Sequence, residues 1–363
     1  MKKIILFNSD LCGGAGKFIE TLSSALHQKG AEVHVILCND NMDYILKDGV
    51  SLHILSERQV SLSKKTYFVD RLRNTLKKIG NYNLIVSNST PSNQILMKLK
   101  APNSFHCIHS SEVKEYRGIS APFRTLLRNI KYKNLYKGKH LITVSKDLEK
   151  YISNKFHSPY ETIRTIYNPF DFEEIHSLSR KKVRNIPDIP YLIHVGRMDL
   201  KSKRHDILLR AYSLANPPYP LVLLGDGPDR KEIEKIIQDL DLKKKVFLPG
   251  YSSNPYAWIK HAKLLLLSSD FEGFPRVLIE SFALSTPVIS TDCPTGPKEI
   301  LHRYNLKEYL VTVGDIEGLA AKIIQALSSY PDLSQIDLSY LDKTKIAEQY
   351  LLLCEPKQGI SHV

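Results

Sequence analysis

The sequence predicts an α/β protein built from two doubly wound parallel sheets. In each half of the 363-residue chain, short apolar runs alternate with amphipathic helical patterns, which is typical of repeated βαβ units. A charged and then proline-rich stretch at residues 179–190 separates the two halves. The length also suits two domains of roughly 150 to 200 residues each. We therefore expect two similar Rossmann-like domains that face a cleft.

The predicted strands alternate with helical patterns in both halves. Residues 18–26 form a helical stripe that ends at Gly30, a residue type common just after a helix. We place the first domain at 1–178, the second at 187–342 and a C-terminal helical segment at 343–363, with its pattern clearest at 345–354. The strands are predicted at 4–7, 33–37, 84–87, 104–108, 141–144 and 162–166, and then at 191–195, 221–224, 245–248, 264–267, 287–290 and 309–313.

Composition places the chain among ordinary globular proteins. Apolar residues make up 42% and charged residues 25%, so disorder is not indicated. No apolar run approaches the roughly 20 residues of a membrane span, and the apolar segment after Lys2 and Lys3 is too short for a secretory signal. We therefore expect a cytoplasmic protein. The five cysteines are scattered, which favours reduced thiols over a zinc site or a disulfide framework.

The net charge is unevenly distributed along the chain. It is +13 overall, and residues 1–175 carry 26 Lys and Arg against 16 Asp and Glu, or +10. A basic half implies an anionic partner such as a membrane surface, a nucleic acid or an acidic substrate. We expect no nucleic-acid partner, because no recognition motif accompanies the charge.

Residues 269–281 carry the most specific pattern in the sequence. They follow an apolar strand and enter a helix with Pro275 at its first position, with Glu272 in the loop and Glu280 two turns into the helix. A carboxylate in the loop can accept hydrogen bonds from sugar hydroxyls, and one on the helix can hold a diol such as ribose. The alternative is that Glu280 pairs with Arg276 on a solvated helix face.

This pattern resembles the Glu-seven-residues-Glu signature of retaining, nucleotide-sugar-dependent glycosyltransferases of family 4. Members of that family have the two-domain GT-B fold, in which a C-terminal helix crosses back to the first domain. A helix N-terminus presents free amides and favours phosphate or sugar oxygens. The resemblance implies that Glu272 and the amides of Gly273 and Phe274 hold the donor sugar beside Pro275, and that Glu280 holds the ribose.

A second pattern, His-Val-Gly-Arg197 followed by Lys203, resembles the family's cationic pair. Two fixed cations can neutralise a leaving diphosphate, with Arg as a planar donor and Lys as a mobile point charge. The family usually has glycine after the lysine, but this chain has Arg204. Lys201 and Arg204 are therefore competitors of Lys203, and a solvated basic loop is the alternative for all of them.

The first half carries two further features that resemble the family. A Gly-Gly loop borders the diphosphate in family members, which implies that role for Gly13 and Gly14. The family's glutamate after Gly-Gly-Ala is Gly16 here, so the correspondence stops at Gly14. His109, at the end of the fourth predicted strand, matches a histidine that lies beside the donor sugar; His106, earlier on that strand, is its rival.

Two features of the second half concern the base and a metal ion. Tyr251 ends a segment that borders the nucleotide base in the family, and it either stacks on the base or caps the core. Asp239-Leu-Asp241 has the spacing of a metal-binding Asp-x-Asp motif. It lies at a predicted helix end before Lys243, on solvated surface, so we expect no catalytic metal and no cofactor besides the donor.

The resemblance implies a hexosyltransferase with Glu272, His109, Arg197 and Lys203 as its catalytic residues. Residues 292–297, Asp-Cys-Pro-Thr-Gly-Pro, resemble a form frequent in members that build bacterial lipopolysaccharide and capsule from uridine diphosphate sugars. The expected reaction transfers a hexose or N-acetylhexosamine to a glycan or glycolipid acceptor. The alternatives are a nucleotide-sugar epimerase on the same fold and a non-catalytic partner subunit.

Residues 121–140 suggest contact with an anionic membrane surface. Phe123, Leu126, Leu127 and Ile130 recur at helical spacing. Either this stripe binds the membrane or it packs inside the first domain, and in both cases the charges allow peripheral docking. The cations beside the stripe are Arg124, Arg128, Lys131, Lys133, Lys137 and Lys139.

Overall fold

The computed structural model describes residues 1–58, 60–110, 121–156 and 160–355. These residues fold into two compact units. The first comprises the described residues within 1–109, 113–170 and 339–363, and the second comprises those within 110–112 and 171–338. Across this part of the chain, no helix is both long enough and apolar enough to cross a membrane.

Strands and helices alternate along the described chain. The strands are β1 (Lys3–Asn8), β2 (Glu32–Asn39), β3 (Val50–Ser56), β4 (Leu84–Ser87), β5 (Ser104–Ile108), β6 (His140–Thr143), β7 (Thr162–Thr165), β8 (Leu192–Val195), β9 (Leu221–Leu224), β10 (Val246–Gly250), β11 (Leu264–Leu267), β12 (Val288–Thr291) and β13 (Leu310–Val311). The α-helices are α1 (Gly13–Gln28), α2 (Lys65–Ile79), α3 (Thr90–Leu99), α4 (Ala121–Tyr136), α5 (Lys146–Phe156), α6 (Phe172–Ser179), α7 (His205–Ala215), α8 (Arg230–Asp239), α9 (Pro255–His261), α10 (Arg276–Ala283), α11 (Pro297–Arg303), α12 (Ile316–Ser328) and α13 (Lys343–Leu352).

The first unit is organised on a seven-stranded parallel sheet with the order β3-β2-β1-β4-β5-β6-β7. Residues 4–7 of its central strand β1 have no exposed surface, as expected for a sheet covered by helices on both faces. The last helix, α13, also belongs to this unit. It packs on α1, where Tyr350 meets Phe18 with ring centroids 6.4 Å apart and Lys29 pairs with Glu348.

The second unit has a six-stranded parallel sheet with the order β10-β9-β8-β11-β12-β13. In both sheets the chain builds outward from its first strand and then returns to the other side of that strand. The order reverses between β1 and β4 in the first sheet and between β8 and β11 in the second. Ligands of open α/β sheets bind at the carboxyl ends of strands where such a reversal occurs. The prediction of two doubly wound, Rossmann-like sheets is confirmed.

The strand that the sequence pattern did not predict is β3. It lies at the edge of the first sheet, and residues 50–54 are partly or fully exposed. An edge strand needs no continuous apolar run, because solvent reaches one side of it. The other twelve strands and α13 begin and end within two residues of their predicted bounds.

Close backbone packing holds the loop after β8 against the loop after β9. The amide of Gly196 donates to the carbonyl of Leu224, the last residue of β9, and the amide of Met198 donates to the carbonyl of Asp226, each over 3.0 Å. Gly225 has a φ of +141°, and a Cβ at this position would lie 2.0 Å from the carbonyl oxygen of Gly196. Only glycine fits there, and the contact fixes the backbone on both sides of Arg197.

We expect Gly225→Ala to destabilise the protein more than Gly250→Ala. Gly250 also has a positive φ, +89°, but an added Cβ would meet only the end of the Arg230 side chain, at 3.8 Å. The control should cost about 1–2 kcal/mol of unfolding free energy through backbone strain. Gly225→Ala should cost about 1–3 kcal/mol more, because the methyl group collides with backbone. Urea unfolding measures both, and equal losses would contradict the collision.

Candidate active site

The reversal between β8 and β11 brings together residues that are far apart in the sequence. The two strands pair directly, with Leu192 opposite Leu264, so the loops that leave their carboxyl ends are neighbours. The loop after β8 carries Arg197 and Lys203, and the loop after β11 carries Glu272. Three of the residues predicted to act on the donor therefore share one end of the second sheet.

Lys203 and Glu272 are in direct contact. Lys203 Nζ lies 2.5 Å from Glu272 Oε1, and the two side chains are 22% and 12% exposed. The sequence predicted a role for each residue but not this ion pair. The stem of the lysine runs beside Gly196, because a Cβ added there would lie 3.6 Å from Lys203 Cε. The ammonium group is thus held by the loop that also carries Arg197.

Buried hydroxyl groups hold the Glu272 loop from three directions. Ser269 Oγ donates to Glu272 Oε1 over 2.6 Å, and the Thr295 hydroxyl donates to the main-chain carbonyl of Glu272. Thr291 Oγ1 donates to the carbonyl of Ser269 over 2.6 Å. Each of these hydroxyl-bearing residues is at most 1% exposed. A buried hydroxyl must find an acceptor, so these groups fix both the loop backbone and the carboxylate.

A fourth buried hydroxyl, that of Ser268, supports the lysine. Its Oγ donates to the main-chain carbonyl of Lys203 over 2.7 Å. Sequence reasoning missed all four hydroxyl groups. The signal that could have found Ser268 and Ser269 is their place directly after the apolar run 264–267, since a polar residue there faces the carboxyl end of a buried strand.

The two competitors of Lys203 lie elsewhere. Arg204 pairs with Asp206 at 2.9 Å and with Asp270 at 3.0 Å, and these carboxylates raise the pKa of its guanidinium. Lys201 is exposed. Arg197 is also exposed, and in the described ranges its side chain takes part in no ion pair. Of the three candidates for the lysine role, Lys203 is therefore the one that contacts Glu272.

The helix that follows Glu272 begins one residue later than predicted. Pro275 is the capping residue and α10 starts at Arg276. Its start packs tightly on a neighbouring turn, because a Cβ added at Gly296, which has a φ of +93°, would lie 2.7 Å from Gly273 O and 2.8 Å from Pro275 Cδ. The side chain of Phe274 is buried. This packing holds the segment 273–275 in place.

Glu280 does pair with Arg276, but not on a solvated face. Arg276 Nε lies 3.4 Å from Glu280 Oε1, and each side chain is only 10% exposed. A surface pair of this spacing contributes a few tenths of a kcal/mol. A buried charged pair is costly to desolvate, so this pair differs from the solvated one that the alternative describes.

Two buried histidines lie close to Lys203. The rings of His194 and His205 are 4.7 Å apart and nearly perpendicular, and His194 Nδ1 donates to the carbonyl of Leu266 over 2.8 Å. Burial lowers the pKa of His205 to about 4, and the charge of Lys203 acts in the same direction. Burial also lowers the pKa of His194. Both rings are therefore neutral near pH 7 and add no charge to the site.

The predicted residues of the first unit lie at the carboxyl ends of its strands. Gly13 and Gly14 begin α1 and are exposed, and the amide of Gly13 donates to Asp43 Oδ2 over 2.8 Å. A Cβ at Gly16 would lie 2.3 Å from the carbonyl of Leu11. That backbone contact leaves no room for a side chain at position 16 of this chain.

His109 and His106, the two histidines considered for the same role, have different surroundings in the structure. His106 lies within β5 and has no exposed surface; its Nδ1 is 3.0 Å from Ser87 Oγ, and burial lowers its pKa to about 3. It is a core residue. His109 follows the strand, is half-buried, and packs edge-on against Phe18 with centroids 4.7 Å apart.

Tyr251 and the Asp-x-Asp segment are both at the surface. Tyr251 directly follows β10 and is 56% exposed, so the alternative that it caps the core is wrong. Asp239 ends α8, and Asp241 is exposed just beyond it. No group of three or more His, Cys, Asp or Glu residues suited to a metal ion occurs in the described ranges.

Two family models match successive parts of the chain. Residues 12–174 match Glycosyltransferase Family 4, and residues 177–337 match Glycosyl transferases group 1. A relative from Campylobacter jejuni, N-acetylgalactosamine-N,N'-diacetylbacillosaminyl-diphospho-undecaprenol 4-alpha-N-acetylgalactosaminyltransferase, is 30% identical over 310 residues, which cover 83% of each protein. This chain is a family 4 glycosyltransferase.

A further relative and a solved structure match this family 4 glycosyltransferase over part or most of its length. An uncharacterised glycosyltransferase of Methanocaldococcus jannaschii is 35% identical over 179 residues, which span 47% of this chain and 44% of that relative. The crystal structure of Anabaena HepE in complex with UDP and glucose matches with a TM-score of 0.73 and 18% identity, covering 97% of this chain and 99% of that one. The predicted GT-B fold and glycosyltransferase class are confirmed.

Proposed function

We propose that this enzyme is a retaining glycosyltransferase that uses a uridine diphosphate sugar as donor. The observation that carries the proposal is the contact between Lys203 and Glu272, beside Arg197, at the strand reversal of the second sheet. A cation for a diphosphate and an acceptor for sugar hydroxyls lie there within hydrogen-bonding distance of each other. The C. jejuni relative is named as an alpha-N-acetylgalactosaminyltransferase, and HepE was solved with UDP.

The proposed acceptor is a glycan or a lipid-linked glycan of bacterial lipopolysaccharide or capsule. The name of the C. jejuni relative describes a substrate linked to diphospho-undecaprenol, which supports this class. Among donors we place galactose or N-acetylgalactosamine ahead of glucose. A site that hydrogen-bonds one sugar hydroxyl discriminates steeply against its epimer, so a single donor should dominate.

The proposed chemistry is substitution on one face of the sugar. The acceptor hydroxyl oxygen bonds to the anomeric carbon while the bond from that carbon to the diphosphate oxygen breaks, and the hydroxyl proton passes to the leaving diphosphate. Arg197 and Lys203 stabilise the charge that develops on the diphosphate. Glu272 and the segment 273–275 orient the sugar, and Glu280 holds the ribose diol. No protein nucleophile and no metal ion is required.

In this proposal the remaining predicted residues bind or orient the donor. Gly13 and Gly14 present exposed backbone to the diphosphate, and His109 lies at a strand end suited to the sugar. Tyr251 offers an exposed ring on which the base can stack. The alternatives are an epimerase, which would release a free epimerised sugar without an acceptor, and a non-catalytic partner subunit, which would turn over no donor.

We expect purified protein to bind uridine diphosphate more tightly than guanosine or adenosine diphosphate in calorimetric titrations. Incubation with a panel of nucleotide sugars in EDTA should then give slow hydrolysis of one uridine diphosphate hexose above the others. Tighter binding of another base would refute the proposed donor. Activity that appears only after manganese is restored would refute metal independence.

We expect Glu272→Ala and Glu280→Gln to lower kcat/KM for the donor by about 100-fold and about 10-fold, because each removes a charged partner of the substrate. Glu234→Gln is the matched control, since Glu234 also pairs with an arginine four residues before it but is 49% exposed. Circular dichroism should show that all three variants remain folded. If Glu280→Gln were as active as Glu234→Gln, the helix-pair alternative would be correct.

We also propose that α4 docks on an anionic lipid bilayer. The alternative that its stripe packs inside the first unit is wrong, because Phe123, Leu126, Leu127 and Ile130 are 64%, 56%, 51% and 47% exposed. Those positions lie on one face of the helix. An exposed apolar face of this kind is suited to burial at a membrane interface.

The positive charge on and around α4 supports binding to a negatively charged lipid surface. Residues 121–140 contain no Asp or Glu, and Lys131, Lys133 and Lys137 are exposed. Burial lowers the pKa of Lys65, at the start of α2, and the charges of Lys131 and Lys98 lower it further. Cations from three helices therefore lie near enough to one another to interact. Among the other predicted cations, Arg128 is only 9% exposed, Lys139 is partly exposed, and the side chain of Arg124 lies outside the described residues.

We expect the protein to sediment with phosphatidylglycerol liposomes at low salt and not with phosphatidylcholine liposomes. Lys131→Gln with Lys133→Gln should weaken this binding by about tenfold or more, at about 1 kcal/mol per cation, and Leu126→Ser should weaken it further. The controls are Lys243→Gln with Lys244→Gln, which are exposed cations of the second unit, and Leu214→Ser, which is 60% exposed. Equal sedimentation with both kinds of liposome would contradict the proposal.

A further inference from the structure

The two oxygens of the Glu272 carboxylate are used unequally. Lys203 Nζ and Ser269 Oγ both donate to Oε1, at 2.5 Å and 2.6 Å. Within the described residues, no hydrogen bond or ion pair reaches Oε2. One oxygen is therefore held by the protein while the other remains available to a ligand.

The backbones of the two partners are fixed without the help of the ion pair. The amide of Lys203 donates to the carbonyl of Asp199 over 2.8 Å, and its carbonyl accepts from Ser268. The carbonyl of Glu272 accepts from Thr295. Separating the ammonium from the carboxylate therefore requires only side-chain rotation. The lysine side chain has four rotatable bonds and is partly exposed, whereas the carboxylate keeps its bond to Ser269.

We propose that the ion pair is the donor-free arrangement and that the diphosphate of the donor takes Lys203 from Glu272. This inference rests on the proposed function. A diphosphate carries more negative charge than a carboxylate and offers several acceptor oxygens, so it competes well for one ammonium. Glu272 then loses its cation while only 12% exposed, which is unfavourable unless new donors arrive.

The sugar of the donor supplies those new donors. Its hydroxyl groups can bond to Oε2, and to Oε1 beside Ser269, once the lysine has moved. Uridine diphosphate without a sugar takes the lysine but leaves the carboxylate uncompensated. The exchange therefore makes the site favour the intact donor over its nucleotide product, and it assigns Ser269 the role of positioning Glu272 during the exchange.

The proposal predicts that one variant of a site residue binds uridine diphosphate more tightly than the wild type. Glu272→Gln keeps the size of the side chain and an oxygen that can accept from Ser269, but it no longer competes for Lys203 with a full charge. It should bind uridine diphosphate more tightly than the wild type, by on the order of fivefold, although it turns over the uridine diphosphate sugar more slowly. A glutamate that only binds sugar would leave the affinity for uridine diphosphate unchanged.

The test is a double-mutant cycle measured by calorimetry with uridine diphosphate. In the Lys203→Met background, adding Glu272→Gln should change the affinity by less than about twofold, because there is no lysine to release. Asp270→Asn is the charge control, since this carboxylate lies two residues away but pairs with Arg204. It should leave the affinity within about twofold of the wild type. Thermal melts establish that each variant is folded.

Three outcomes would overturn the proposal. Unchanged or weaker binding by Glu272→Gln would show that the carboxylate does not compete for the lysine. Equal tightening in the Lys203→Met background, or with Asp270→Asn, would show a general effect of removing negative charge. Wild-type protein that binds no nucleoside diphosphate would overturn this proposal and the proposed donor together, whereas the first two outcomes leave the donor intact.

Discussion

The requirements of a nearly buried carboxylate shape the carboxyl end of the second sheet. Removing a carboxylate from water costs several kcal/mol unless cations and donors replace the lost hydration. Glu272 obtains one cation from Lys203 and one donor from Ser269. Lys203 and Ser269 reach the carboxylate only if the loops that carry them keep their positions. Thr291 and Thr295 hold the Glu272 loop in place by donating hydrogen bonds to its backbone. The charged pair therefore depends on uncharged hydroxyl groups that are fully buried.

Two glycines restrict the backbone of the loops at the site, whereas the charged side chains on those loops remain able to move. Gly225 and Gly296 both have positive φ angles, and each is pressed against the backbone of another loop at less than 3 Å from where a Cβ would lie. Such contacts leave the backbone little freedom. Lys203, by contrast, has a long side chain on a fixed main chain. Function by exchange of ion-pair partners needs this combination, because a mobile backbone would lose the site when the pair opens.

Sequence reasoning succeeded for features set by local pattern and failed for those set by topology. Strands such as 264–267 are continuous apolar runs, so their positions were predictable, and the resemblance singled out Glu272 and Lys203, which the structure brings into contact. Their contact was not predictable from local pattern, because the two residues are 69 positions apart in the sequence. Only the order of the whole sheet makes β8 and β11 neighbours. Arg204 shows the same limit, since its partner Asp270 comes from the other loop.

The surface of α4 illustrates a different limit, and it bears on how the enzyme could work. Helical periodicity predicts an apolar stripe but not which face of the helix the rest of the unit covers. Here the stripe is exposed, and most of the positive net charge lies in the same half of the sequence, +10 of +13 within residues 1–175. The cations proposed to meet lipid thus belong to the first unit, whereas Arg197 and Lys203 belong to the second. Because exposed charges are screened by salt far more than partly buried ones, ionic strength should control docking while leaving donor binding much less affected.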